Sequence, residues 1–137
     1  MLLDVMEQGD NDAISELMTV ASFSPDFKER NPASFQAYKS VKLQNDPAPY
    51  PAIMRVLLES FETPAHLDSL HCPVLIIAGD SDTFMEVSVG ESMQRTIKDA
   101  ILEVLPTGHA AAIETPAEFN RVVLSFLRGL GQAPEGS

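Results

Sequence analysis

The chain is short of cysteine, of basic residues and of long apolar runs, and each shortage removes a class of function. Its one cysteine, Cys72, has no second thiol to pair with, so no intramolecular disulfide forms and no oxidising compartment is implied. Nine Lys and Arg stand against 20 Asp and Glu, for a formal net charge of -11 and a pI near 4.5. Such a surface repels phosphate backbones and anionic headgroups, which argues against nucleic acid as a partner. The longest strongly apolar run, Val74 to Ala78, is far short of the roughly 20 residues that a membrane-spanning helix needs. Met1-Leu2-Leu3-Asp4 lacks the basic n-region of a signal peptide. The chain therefore reads as soluble and cytoplasmic, with no membrane partner. Three widely spaced histidines and a single cysteine fit no zinc spacing, and there is no Gly-rich phosphate loop, so neither metal nor cofactor is expected.

What remains is an ordinary globular composition, 45% hydrophobic and 21% charged, on 137 residues. A chain of this size buries about two-thirds of its unfolded surface. Residues 1–70 read as helical throughout. Ile14, Leu17, Met18 and Ala21 fall at i, i+3, i+4 and i+7, with Asp10, Asn11 and Asp12 as candidate N-caps. Ser24-Pro25 and Asn31-Pro32 each pair a cap residue with proline at the first helical position, and the second of these helices turns Phe35, Tyr38 and Val41 inward. Asp46 to Pro51 is a proline-punctuated linker. A fourth helix places Ile53, Val56, Leu57 and Ser60-Phe61 at core spacing.

From His71 the period changes. Pro73 to Ala78 is continuous, rich in β-branched residues and closed by Gly79, as suits a parallel strand buried on both faces. A helix from about Glu86 to Ile97 follows, then a second strand, Ile101 to Leu105. Strand, helix, strand at this spacing is a βαβ unit with two parallel strands. Thr115-Pro116 caps a last helix whose Phe119, Val122, Val123, Phe126 and Leu127 follow a 3.6 period, and Gly129 to Ser137 is a polar tail.

Reactive groups in open parallel sheets gather beyond the carboxyl ends of the strands. Asp80 and Asp82 follow the first strand and His109 the second, so the topology brings an acid and an imidazole to one rim. A carboxylate that accepts a bond from one imidazole nitrogen fixes the tautomer and supports the imidazolium formed when the other nitrogen takes a proton. Each residue also has a plainer reading: Asp80 and Asp82 as turn formers, His109 as a loop histidine. His66 and His71 read as surface or capping residues.

The conjunction is more specific than its parts. Cys72-Pro73-Val74-Leu75-Ile76-Ile77-Ala78-Gly79-Asp80-Ser81-Asp82 resembles the seventh strand and acid loop of the α/β-hydrolase family. Leu105-Pro106-Thr107-Gly108-His109 resembles its eighth strand and histidine loop, and Glu114-Thr115-Pro116-Ala117-Glu118-Phe119-Asn120 the start of its final helix. The resemblance implies an α/β fold in part: a helical cap-like segment over 1–70, then the carboxyl-terminal βαβα portion of a hydrolase core over 71–137. By position it assigns Asp82 as the catalytic carboxylate and His109 as the base.

The family's nucleophile sits on a Gly-x-Ser-x-Gly elbow upstream of the acid. No such elbow occurs here. Glu86-Val87-Ser88-Val89-Gly90 lacks the first glycine and lies between acid and base, and Cys72 enters its strand at the opposite rim. Both read as structural rather than nucleophilic, Ser88 on a helix surface and Cys72 in core or strand-entry packing.

The resemblance thus implies hydrolysis of a small-molecule acyl substrate, an ester, lactone or related compound, by an enzyme whose nucleophile lies outside these residues. The expected partner is a nucleophile-bearing amino-terminal half, or a second copy paired through the apolar edge of the first strand. Phe23, Phe27, Phe35, Tyr38 and Met54 are candidates for the pocket wall, most of them reading better as core. The alternative is a non-catalytic binding module that keeps this architecture.

Overall fold

A computed structural model describes residues 10–42, 44–46, 48–59 and 66–131, with the backbone alone at positions 11, 50, 54 and 57–59. The positions expected for Ser60, Phe61 and the side chains of Met54 and Leu57 lie outside the described residues. Two compact units divide the chain, Met1–Ala65 and His66–Ser137.

The first unit is helical. In α1 (Asn11–Ala21) the cap is Asp10, whose carboxylate accepts from the Ala13 N–H at 2.9 Å. Ile14 is fully buried, but Ser15 and Thr19 are buried beside it while Leu17, Met18 and Ala21 are only partly covered. The inward face is therefore rotated from the expected stripe. It admits Thr19 because its hydroxyl donates to the Ser15 carbonyl at 2.8 Å, which satisfies a polar group that burial would otherwise penalise.

Ser24 caps α2 (Pro25–Arg30), accepting from the Phe27 N–H at 3.1 Å, with proline at the first position as expected. In α3 (Pro32–Lys42) Phe35 is buried and Tyr38 partly so, whereas Val41 is exposed, contrary to the inward face read for it. The core of this unit is an aromatic cluster: Phe23 stacks on Phe27 at 5.3 Å and meets Phe35 and Tyr38 edge-on at 5.5 and 4.9 Å. Phe23, Phe27 and Phe35 are thus core residues.

The linker ends earlier than expected, because α4 (Tyr50–Glu59) takes Pro51 into its first turn, where a missing N–H costs nothing. Ile53 and Val56 of that helix are exposed rather than in the core, and the aromatic cluster is built from α2, α3 and Phe23 in the turn between α1 and α2.

The second unit opens with a single 3-10 turn, Leu67–Ser69, preceded by an exposed His66 whose carbonyl accepts from Ser69. Strand β1 (Leu75–Gly79) and strand β2 (Ile101–Leu105) pair in parallel, with Leu75 opposite Ile101 and Gly79 opposite Leu105. Between them α5 (Val87–Thr96) contacts both strands, which completes the βαβ unit. Ile97 closes that helix, nearly fully buried.

Leu75, Ile76 and Ile77 are only half-buried, so β1 is not covered on both faces. Among the described residues it has one neighbouring strand, and an edge without a partner leaves side chains partly open to water. Cys72 lies ahead of the strand and is exposed rather than packed.

A short α6 (Ala111–Glu114) leads into α7 (Pro116–Leu130), which packs on β2 and buries Val122. Thr115 occupies the cap position but does not cap with its side chain. Its hydroxyl donates backwards to the Ala111 carbonyl at 3.1 Å, a partner that α6 places within reach. Leu127 is exposed, and the helix runs through Gly129 to Leu130 where a polar tail was expected.

Candidate active site

Both strands end at one rim, and backbone bonds carry their pairing into the loops beyond. The Asp80 N–H donates to the Leu105 carbonyl at 2.9 Å and the Ser81 N–H to the Thr107 carbonyl at 3.0 Å. The loops can approach so closely because Gly79 has no side chain. A Cβ there would lie 2.3 Å from the Thr107 carbonyl oxygen and 2.5 Å from that of Gly108.

On this frame the two aspartates separate. Asp80 is exposed, and its carboxylate accepts from the Ser81 hydroxyl at 3.0 Å, a local turn contact. The Asp82 side chain is 6% exposed and uses both oxygens. One, Oδ1, accepts from the Phe84 and Met85 backbone N–H groups at 2.8 and 3.1 Å; the other, Oδ2, meets His109 Nδ1 at 2.8 Å. Two amides thus hold the carboxylate in one orientation, facing the imidazole.

The His109 side chain is 49% exposed. The Phe84 ring meets it edge-on at 5.4 Å, giving the imidazole an apolar wall. With Nδ1 engaged by Asp82, Nε2 has no partner among the described residues. An imidazole held this way has its outer nitrogen free to take a proton from a group placed against it. Beside the pair a cleft of about 260 Å³ opens along β1 and α5, lined among others by Ile76, Met85, Val89 and Met93.

Ser88 sits exposed in the first turn of α5, and no hydrogen bond joins it to His109 among the described residues. Cys72 precedes β1, at the end of the strand opposite to Asp82. Among the described residues no group of three His, Cys, Asp or Glu side chains is disposed to hold a metal ion. Nor is any described helix long and apolar enough to cross a membrane.

Known proteins resemble the chain in sequence and in fold. No protein-family model matches the chain. It is similar to a protein of Caulobacter sp. (strain K31) that bears the name of a carbamate hydrolase, RutD, 31% identical over 85 residues, which is 59% of this chain and 32% of that protein. It is also similar to 3-oxoadipate enol-lactonase 2 of Acinetobacter baylyi (strain ATCC 33305 / BD413 / ADP1), 29% identical over 124 residues, 90% of this chain and 46% of the lactonase. Among solved structures it superposes on MGS-M2, an α/β-hydrolase enzyme from a Medee basin deep-sea metagenome library, with a TM-score of 0.72 at 23% identity, covering 99% of this chain and 50% of that one. The chain has the α/β-hydrolase fold in part. Its relatives are hydrolases, and it spans between about a third and about a half of the length of those it matches.

Three features of this site go beyond what the sequence indicates. The Phe84 and Met85 amides that orient Asp82 follow from an Asp bonding the backbone two and three residues on, a habit the sequence showed for Asp80 and Asp82 alike. The Phe84 wall had no sequence signal. Glu114, noted only as part of a helix start, has its carboxylate on the Gly108 N–H at 3.1 Å.

Thr107 is the fourth. It is fully buried and its hydroxyl has no partner among the described residues. A buried, unpaired hydroxyl is destabilising by about 1–3 kcal/mol. Thr107→Val keeps the shape and removes that cost, so it should stabilise the chain by about 1 kcal/mol in urea unfolding. A clear loss of stability instead would mean that the hydroxyl has a partner.

Proposed function

We propose that this chain supplies the acid and the base of a nucleophile-histidine-acid triad for hydrolysis of an ester, lactone or related acyl compound. The observation that carries the reading is the bond between Asp82 Oδ2 and His109 Nδ1, with the carboxylate nearly buried and the imidazole open to the cleft. The nucleophile is a serine on a Gly-x-Ser-x-Gly elbow in a segment beyond these 137 residues, and the chain is inactive without it. Residues 1–70 act as the cap. The lactonase relative supports acyl hydrolysis as the reaction class.

The chemistry runs in two halves. His109 Nε2 takes the proton of the serine hydroxyl while its oxygen attacks the acyl carbon. The imidazolium, supported by Asp82, gives that proton to the departing alkoxide as the acyl-serine forms. Water then enters, losing a proton to Nε2 as its oxygen bonds the acyl carbon, and the proton returns to the serine oxygen as the carboxylic acid leaves. Asp82 remains ionised throughout.

The test is hydrolysis of p-nitrophenyl acetate by the chain alone and by the chain co-expressed with the polypeptide encoded upstream of Met1. The expected result is no His109-dependent turnover in the first case and turnover lost in His109→Ala in the second. Turnover by the chain alone that survives Ser88→Ala and Cys72→Ala would overturn the account of the nucleophile. A folded complex without any His109-dependent turnover would favour a binding module.

A further inference from the structure

The bond between Asp82 and His109 spans 27 positions, and a carboxylate can orient an imidazole only if the backbone beneath that imidazole is itself held. Asp82 is held by two amides from its own loop. The His109 ring is half-exposed and, among the described residues, its hydrogen bond is to the Asp82 carboxylate and its ring contact is with the Phe84 edge. Its fixation must therefore come largely through the peptides that precede it.

Those peptides are gripped from two sides. On one, the Thr107 carbonyl accepts from Ser81, and the Gly108 carbonyl lies close over Gly79. On the other, the Gly108 N–H donates to Glu114 Oε1. Glu114 is the last residue of α6, a one-turn helix whose Ile113 and Glu114 amides both return to the Ala110 carbonyl. The carboxylate thus folds back over that turn to the residue immediately before His109, closing a ring of chain around the base.

An ionised acceptor makes a shorter, stronger and more directional bond with a backbone N–H than a neutral one does. At Gly108, where no side chain restrains the backbone, such a bond anchors the Thr107–Gly108 peptide, whose carbonyl Ser81 holds from the other side, and so fixes the near end of the glycine hinge that leads to His109. The Gly108–His109 peptide continues from that anchored plane, with its carbonyl close over Gly79, and it in turn sets the direction of the His109 Cα–Cβ bond.

We infer that Glu114 is a positioning residue for the catalytic base: through the Gly108 amide it aims His109 Nδ1 at Asp82, without touching the reacting atoms. This rests on the assignment of His109 as the base. It assigns a task to a residue that the proton transfers leave unused, and it explains why an acid stands in a half-buried place close to the active rim.

The test is independent of turnover. In the 137-residue chain, imidazole ¹⁵N chemical shifts, recorded at a pH where histidines are neutral and assigned by loss of signal in His109→Gln, report which nitrogen carries the proton. The native chain is expected to show His109 as the Nδ1–H tautomer, and Asp82→Asn to remove that form. Glu114→Ala should lose at least half of the Nδ1–H population, and Glu114→Asp, charged but too short to reach Gly108, should behave alike. Glu114→Gln, whose amide oxygen can still accept from Gly108, should retain most of it.

A native-like tautomer ratio in folded Glu114→Ala or Glu114→Asp would overturn the inference, as would unfolding of both, which would make Glu114 a residue of general stability. The underlying reading fails separately: if Asp82→Asn leaves the tautomer unchanged, the acid-base pair itself is wrong. If that exchange acts and the Glu114 variants do not, only the positioning role is lost.

Discussion

With Asp82 and His109 acting as proposed, Asp82→Asn is expected to lower turnover of the complemented enzyme by about 10⁴-fold, nearly as much as His109→Ala, although it removes no atom of the proton path. The reason lies in the other oxygen. Oδ1 accepts from the Phe84 and Met85 amides, so in D82N the side-chain oxygen must stay there to satisfy two donors. The amide nitrogen is then left facing His109. A donor opposite Nδ1 draws the lone pair to that nitrogen and moves the ring proton to Nε2, the atom that has to receive the serine proton. The base is present and in place, in the wrong tautomer.

Were the carboxylate free to turn, the exchanged side chain could offer His109 its oxygen and much activity would survive. The prediction therefore separates a clamped acid from a loosely held one. It is checked by kcat for p-nitrophenyl acetate in the complemented enzyme, beside a stability measurement showing the variant folded. A loss of less than tenfold in a folded variant would mean that the side chain at position 82 is not clamped by the two amides, or that it does not orient the base.

The second large effect is on stability. Gly79→Ala adds one methyl group at a point where both nearest atoms are backbone oxygens, 2.3 and 2.5 Å from where the new carbon must sit. Neither is the end of a flexible side chain. Relief requires moving the histidine loop off the strand end, which breaks the Ser81 to Thr107 bond and disturbs the grip on Gly108. A loss of about 3 kcal/mol is expected, at the upper end of what overpacking usually costs.

Gly90→Ala supplies the contrast. Its added carbon meets only the Leu102 Cδ1 at 3.0 Å and, further off, side-chain atoms of Ile76 and Ala78. Leu102 can yield by a few tenths of an ångström. Alanine also gains about 1 kcal/mol over glycine inside a helix, so this variant should lie near neutrality. Urea midpoints of the two variants check the pair of predictions, and equal losses in both would contradict the geometry at Gly79.

These cases show where sequence reasoning stops. The two strands and the helix between them were legible because a continuous apolar run closed by glycine, followed by a change of period, has few other meanings. The rim shared by Asp82 and His109 followed from topology. What was not legible is which contacts each element finds. The 3.6 period put Val41 and Leu127 on inward stripes, yet both are exposed, because the period gives the width of a face and not how far its partner extends. Thr115 was read as a cap from its place before proline, but a helix of four residues ahead of it offers its hydroxyl a nearer acceptor. Gly79 was read as the end of a strand, whereas the carbonyls pressing on it arrive from a loop 28 positions later, beyond the reach of any local pattern.

The aromatic cluster of the helical unit has a practical consequence. The chain contains no tryptophan and two tyrosines. Both tyrosines, Tyr38 and Tyr50, belong to the unit Met1–Ala65, and Tyr38 packs edge-on against Phe23 at 4.9 Å. The unit that carries Asp82 and His109 has neither residue. Tyrosine fluorescence therefore reports on the helices alone, and backbone ellipticity on both units together. Comparing the two signals through one denaturant titration distinguishes a chain that melts as a single body from one whose halves melt apart, without a label or an engineered probe.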